Sequence, residues 1–220
     1  MRTIDLFDLT GKTAVVTGGE GLLGKCHREV IEELGGKSIS ADIKTGLDIT
    51  NQFKVRSFAD KIGRIDILIN NAVGSQLYKS NWDNDIAVGL TGAWNMCQAF
   101  GPSMKNGVIL NIGSDMSLIA PDQRLYPKEK PKPVSYSVVK HGIVGLTKYV
   151  ATLWPDRLRC NCLCPGGIQQ DDDVHPEHLI PLGRRARLEE MKGPVAFLIS
   201  EASSYMPGAI LSVDGGRTAV

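Results

Sequence analysis

From end to end the chain alternates short, almost continuously apolar runs with longer amphipathic stretches, and few folds satisfy that pattern. Residues 12–17, 37–41, 65–69, 108–112, 158–163 and 209–213 read as strands. Residues 22–34, 51–62, 82–104, 135–153 and 188–200 read as helices. Strands this apolar are expected where both sheet faces are covered. Regular strand–helix alternation implies βαβ units with right-handed crossovers. The expected fold is therefore α/β, a single doubly wound parallel sheet (Rossmann-type) of six or seven strands with helices on both faces. One domain is expected over residues 1–220. Two irregular stretches interrupt the pattern, at 121–133 and 166–183.

Composition narrows the class. Hydrophobic residues make up 42% and charged residues 22% of the chain, enough for a packed core and against bulk disorder. Lys and Arg number 25 against 24 Asp and Glu, a net charge of +1, which gives no electrostatic reason to expect nucleic acid or a membrane as partner. No segment approaches the ~18 apolar residues of a spanning helix. The N-terminus MRTIDLFDLTGKTAVV has no apolar stretch long enough for a signal peptide, so a cytoplasmic protein is expected. Cys26, Cys97, Cys160, Cys162 and Cys164 are then expected as free thiols.

The first strand runs into Thr17-Gly18-Gly19-Glu20-Gly21-Leu22-Leu23-Gly24. A glycine-rich turn that opens a helix lets backbone N–H groups approach a pyrophosphate at the helix N-terminus. Asp42 ends the second strand, 18 residues after Gly24. Its carboxylate can accept hydrogen bonds from ribose hydroxyls and would repel a 2′-phosphate, so the expected cofactor is NAD.

Further markers follow in order: Asp48 before Ile49-Thr50, Asn70-Asn71-Ala72 after a strand, Ser114 after Asn111-Ile112-Gly113, and Tyr136-x-x-x-Lys140. Asn161 before Cys164-Pro165-Gly166, and Val213-Asp214-Gly215-Gly216, complete the set. Joint order and placement resemble the short-chain dehydrogenases/reductases over essentially the whole chain. The resemblance implies a cofactor held by Gly18, Gly21, Leu22, Leu23, Gly24, Asp42, Asp48, Ile49, Asn71, Ala72, Tyr136, Lys140, Pro165 and Gly166. It places Asp48 by the adenine, Asn70, Asn71 and Ala72 along the cofactor path, and Pro165-Gly166 against the nicotinamide. It makes Ser114, Tyr136 and Lys140 catalytic and requires no metal. More weakly, residues 114–123 and 132–142 resemble a subgroup of flagellin modification and surface-sugar biosynthesis.

Tyr136 and Lys140 are four residues apart, so on a helix they share a face. A phenol with a pKa near ~10 is a poor base at neutral pH, and a nearby ammonium favours its anion. Such a tyrosine moves a proton to or from a substrate oxygen while a nicotinamide moves a hydride. Ser114 would hydrogen-bond the same oxygen, and by the resemblance Lys140 also holds the nicotinamide ribose.

Several residues depart from the family. Gly89 stands where an asparagine that helps position a water usually sits; either a water binds backbone there or that relay is absent. The spacing Gly18-x-x-Gly21-x-x-Gly24 is that of the longer branch of the family. Only five residues separate Asp42 from Asp48, so a helix near the adenine is expected to be missing. The stretch after Gly166 is brief, and Gln169-Gln170 replaces the usual threonine, which leaves the site open or completed by a neighbouring subunit. Cys160, Cys162 and Cys164 alternate on one strand face, a poor cage for an ion, and are expected as buried apolar residues. His27, His141, His175 and His178 show no metal-ligand spacing.

The expected activity is NAD(H)-dependent interconversion of a hydroxyl and a carbonyl on a small molecule, a sugar or sugar derivative of surface-glycan biosynthesis. Three alternatives stay open: an NAD(H)-sensing regulator, an epimerase or dehydratase using bound NAD, and a scaffold subunit. Trp94, Met96, Phe100, Leu146, Tyr149 and Leu153 supply more apolar surface than one sheet face needs, so a homodimer or homotetramer is expected. Arg124, Lys128, Lys130 and Lys132, set among prolines in 121–133, suit an anionic sugar; a solvated surface loop is the other reading.

Overall fold

Six strands form one parallel sheet in the order β2-β1-β3-β4-β5-β6, in a computed structural model that describes residues 2–74, 81–129, 131–169 and 177–220. They are β1 (Thr13–Thr17), β2 (Lys37–Ala41), β3 (Ile67–Asn70), β4 (Gly107–Ile112), β5 (Leu158–Pro165) and β6 (Ile210–Val213). Register runs Val15↔Ile39, Val15↔Leu68, Leu68↔Ile109, Ile109↔Cys160 and Leu163↔Leu211. Alternate side chains of these strands leave the sheet on opposite faces, and each face is covered. Val15, Leu68 and Ile109 pack with Val55 of α2 (Gln52–Ile62), Phe100 of α4 (Ala93–Phe100) and Val150 of α5 (Val134–Leu153). Val16, Ile69 and Leu110 pack with Val30 of α1 (Leu22–Glu33) and Leu198 of α6 (Lys192–Ile199). The chain direction across the sheet reverses between β1 and β3, which opens a crevice beyond their carboxyl ends.

Two expected helices are not continuous. The stretch 82–104 begins as α3 (Trp82–Ile86), widens into a π-helical segment (Ala87–Gly92), resumes as α4 and tightens to a 3-10 turn (Gly101–Ser103), with Met104 extended. Gly89 permits this close packing: a Cβ there would run into Val139 of α5. Pro102 lacks the N–H that would continue the helix. The stretch 188–200 likewise starts as a 3-10 turn (Leu188–Met191) before α6, whose early Pro194 has no N–H to give.

Two residues assigned to surplus surface are core. Met96 and Phe100 are 0% and 1% exposed, packed under the sheet. Trp94 is half-buried, edge-on to Tyr149 at 5.9 Å. Tyr149 and Leu153 remain exposed, as do Val134 and Val138 at the start of α5. All five cysteines are buried and free, and among the described residues no group of His, Cys, Asp and Glu could hold a metal. Nor does any described helix have the length and apolarity to cross a membrane.

Candidate active site

The carboxyl ends of β1 to β5 border a cleft of about 700 Å³. Of the expected site residues, Gly18, Gly21, Leu22, Leu23, Asp42, Asp48, Ile49, Asn71, Ala72, Ser114, Tyr136, Lys140, Pro165 and Gly166 all line it. Gly24 does not. It lies beneath the turn, where a Cβ would collide with the Gly18 carbonyl oxygen, so it lets α1 pack against β1. Gly18 has φ +61°, and a Cβ on it would stand 2.9 Å from Ala72 Cα. Gly21 caps α1 with extended backbone and no side chain, which leaves the first N–H groups of the helix facing the cleft.

Thr17, which the motif reading passed over, ties two strand ends together. Its Oγ1 accepts from Asn71 N at 2.9 Å and from Ala72 N at 3.1 Å, while Asn71 Nδ2 donates back to the Thr17 carbonyl at 3.0 Å. A hydroxyl at the end of β1, directly before the glycine turn, carries no local signature of that role. Asn70 departs from expectation. It is buried below the cleft, and its Nδ2 donates to Asn111 Oδ1 at 2.9 Å. As the last residue of β3 it points into the face covered by α4 and α5, whereas Asn71 turns out toward the cleft.

Asp42 begins a 3-10 turn (Ile43–Thr45), the only element between it and Asp48. Its two oxygens accept from Lys44 N at 2.9 Å and from Glu20 N at 3.0 Å. Each carboxylate oxygen keeps acceptor capacity for a further donor. Asp48 accepts from Thr50 N and Oγ1, and the Thr50 hydroxyl holds its carboxyl below the usual range.

At the other end of the cleft Ser114 follows β4, and α5 delivers Tyr136 and Lys140. Lys140 Nζ donates to the Ile112 carbonyl at 2.8 Å and lies 5.7 Å from the Tyr136 ring centre. Burial pushes the Lys140 ammonium down to about 8, against the opposing pull of the Cys162 and Cys164 thiols, with Lys132 pressing the same way as burial. Lys132 stands 4.5 Å from the Tyr136 ring centre and also borders the cleft. A cation therefore lies on each side of the phenol in sequence. Ser114 Oγ donates to Asp115 Oδ1 at 2.7 Å and accepts from Met116 N at 3.2 Å. Asp115, 3% exposed, is a cleft residue that sequence reading missed.

The basic loop is less open than its composition suggests. Arg124 is paired with Asp122 at 2.6 Å, and Lys128 does not border the cleft. Lys130 lies outside the described residues, as do Gln170, His175 and the rest of 170–176. His27 is buried and pushed down to about 4 by burial, hence neutral.

The residues present fit a dinucleotide: the side-chain-free turn of Gly18 and Gly21, the helix N–H groups behind it, and a strand-end carboxylate share one cleft. Comparisons with known proteins agree. A family model described as Enoyl-(Acyl carrier protein) reductase matches residues 6–218. The chain is 29% identical to D-threitol dehydrogenase of Mycolicibacterium smegmatis over 96% of this chain and 95% of that one. It is 30% identical to the NAD-dependent glycerol dehydrogenase of Listeria innocua over 96% of each. Among solved structures, a gluconate 5-dehydrogenase from Burkholderia cenocepacia, in complex with NADP and tartrate, superposes with a TM-score of 0.83 at 27% identity, covering 100% of both chains.

Proposed function

Because this chain belongs to the short-chain dehydrogenase/reductase family, whose fold binds a nicotinamide dinucleotide, we propose that it is an NAD(H)-dependent oxidoreductase interconverting a hydroxyl and a carbonyl on a sugar derivative. One observation carries the reading. Ser114, Tyr136 and Lys140 meet at one end of a cleft whose other end holds the glycine turn and Asp42. The relatives named above act on polyols and sugar acids by their names, which supports a polyhydroxylated substrate. Residues 114–123 and 132–142 support a place in surface-glycan biosynthesis. The whole chain acts as one domain.

Bound nicotinamide supplies the hydride acceptor or donor. The protein's own residues do the rest. Tyr136 Oη moves the proton at the substrate oxygen, and Ser114 Oγ hydrogen-bonds that oxygen. Lys140 keeps positive charge beside the phenol, which favours proton release from it. Asp42 holds the adenosine ribose hydroxyls.

The test is turnover with NAD on neutral polyols, acidic sugars and sugar phosphates, in wild type and Lys132→Ala. Among the described residues Lys132 is the loop cation that borders the cleft, so its loss is expected to lower kcat/KM roughly tenfold on the charged substrates alone, an effect that high salt reduces. Equal loss on neutral polyols would leave Lys132 without a part in substrate choice. No turnover on any of these substrates would defeat the oxidoreductase reading.

NADP in the Burkholderia structure favours a second reading of cofactor choice. Against it, Asp42 sets a carboxylate at the ribose end, with Lys44 the one cation beside it in the described cleft. NADH is expected to bind roughly tenfold or more tightly than NADPH, since like charges brought together cost several-fold in affinity. Fluorescence titration with both cofactors decides, and Asp42→Ala should narrow the gap.

Exposed Tyr149 and Leu153, with Val134 and Val138, leave an apolar strip along α5 that suits a symmetric homo-oligomer. Light scattering should give at least a dimer mass, and Tyr149→Asp with Leu153→Asp should shift it to monomer.

A further inference from the structure

One side chain closes the base of the loop over 121–133. Gln123 Nε2 donates to the Lys132 carbonyl at 2.9 Å, and Gln123 Oε1 accepts from Lys132 N at 3.0 Å, across nine positions of chain. A single carboxamide meets both groups where the backbone is extended, since an extended residue presents its N–H and C=O to the same side, as in the closely bonded pairs of an antiparallel ladder. The local sequence favours that conformation. Lys132 precedes Pro133, and the residue before a proline is pushed out of helical angles. The Gln123 end is shaped as well: it opens a 3-10 turn (Gln123–Leu125) capped by Asp122, whose Oδ1 accepts from Arg124 N at 3.0 Å. The clamped residue is the one described cation of the loop that borders the cleft. Its Nζ stands 4.5 Å from the Tyr136 ring centre and 6.0 Å from that of Tyr126, whose side chain is buried. At about 6 Å or less a ring face attracts an ammonium. A lysine stem loses rotamer freedom when it grips an anion; a fixed backbone and two flanking rings remove much of that loss in advance.

We propose that Gln123 is a positioning residue for substrate choice: its carboxamide clamps Lys132 so that the ammonium forms a fixed subsite for an anionic group of the substrate, a carboxylate or a phosphate. Because the ammonium lies against the Tyr136 ring, that group sits close to the reacting carbon. Gln123 is exposed and outside the described cleft, so it acts through Lys132. The functional half of this inference rests on the charged-sugar reading above, whereas the clamp itself does not.

The test has a structural and a kinetic arm, both on the NAD-bound protein. Gln123→Met keeps the length of the side chain and removes both hydrogen bonds. Pro131 and Pro133 carry no N–H, so hydrogen exchange within 131–133 reports Lys132 alone. That amide is expected to exchange roughly tenfold faster in Gln123→Met than in wild type. In the kinetic arm, Gln123→Met should lower kcat/KM about fivefold on acidic sugars or sugar phosphates and leave neutral polyols unchanged. In a Lys132→Ala background the same substitution should have no further effect, because the two residues act as a unit. Loss confined to acidic sugars assigns a carboxylate to the subsite, loss confined to sugar phosphates assigns a phosphate, and either supports it. Equal exchange in the two proteins overturns the clamp. Unchanged kcat/KM on charged substrates in Gln123→Met, with Lys132→Ala selective, overturns the positioning role. Equal loss on neutral and charged substrates, or a loss that persists without Lys132, overturns it too and leaves Gln123 a structural part only. A Lys132→Ala variant that matches wild type on every substrate would sink the charged-sugar reading and the positioning role together, and exchange would still decide the clamp.

Discussion

Tyr136→Phe should lower kcat by about three orders of magnitude, within the range general acid–base groups supply, and leave NADH affinity nearly unchanged. The substitution removes one hydroxyl and keeps the ring that packs between Lys132 and Lys140. The other proposed cofactor contacts, in the glycine turn, Asp42 and Lys140, are untouched. Stopped-flow turnover together with cofactor titration separates the two effects. Retained turnover would mean that another group moves the proton. Asp115 would then be the first to examine, since its carboxylate already accepts the Ser114 hydroxyl's hydrogen bond at 2.7 Å.

Lys140→Met should abolish turnover and at the same time stabilise the fold. The side chain is 5% exposed and bonded to one backbone carbonyl, so folding takes an ammonium out of water with little to replace its hydration. Burial lowers its pKa from 10.5 to about 8. A lysine whose folded pKa lies below its unfolded value destabilises the fold fully at pH below the folded value. That penalty fades as pH rises from about 8 toward 10.5, where the unfolded chain binds more protons than the folded one. The cost at neutral pH is about 3 kcal/mol, of which losing the Ile112 hydrogen bond gives back about 1. Lys140→Met should therefore gain about 2 kcal/mol, or roughly 5 °C in Tm at pH 7. The gain should shrink when melting is repeated near pH 10. A Tm that falls on substitution would mean that Lys140 is held by more than its burial and its one hydrogen bond suggest. Active sites commonly exchange stability for function in this way.

Much of the architecture was legible because it is encoded locally. Strand β2 matches its expected limits, β3 is shifted at both ends, and the other strands differ by one or two residues at one end. Apolar runs and amphipathic spacing report on which faces are buried, and the four inner strands β1, β3, β4 and β5 are covered on both sides, whereas the edge strands β2 and β6 are only partly buried. The long helix over 82–104 failed at Gly89, Gly92 and Pro102. Periodicity continues through those positions, while the backbone widens into a π-helical segment against Val139 and then ends.

The sequence by itself determined the strand–helix order, the glycine turn, and the shared helical face of Tyr136 and Lys140, since each depends on neighbours within a few positions. The tertiary structure alone decided which residues meet across strands. Asn70 and Asn71 are adjacent in the chain, yet one faces the core and the other the cleft. Thr17 clasps Asn71 and Ala72 more than fifty positions away. Lys132, rather than the loop's other described cations, borders the cleft. Gly24, grouped by motif with the cofactor contacts, supports the turn from below. Such partners are fixed by sheet order and register, which no local spacing records: a shift of one residue in a strand sends its side chains to the opposite face.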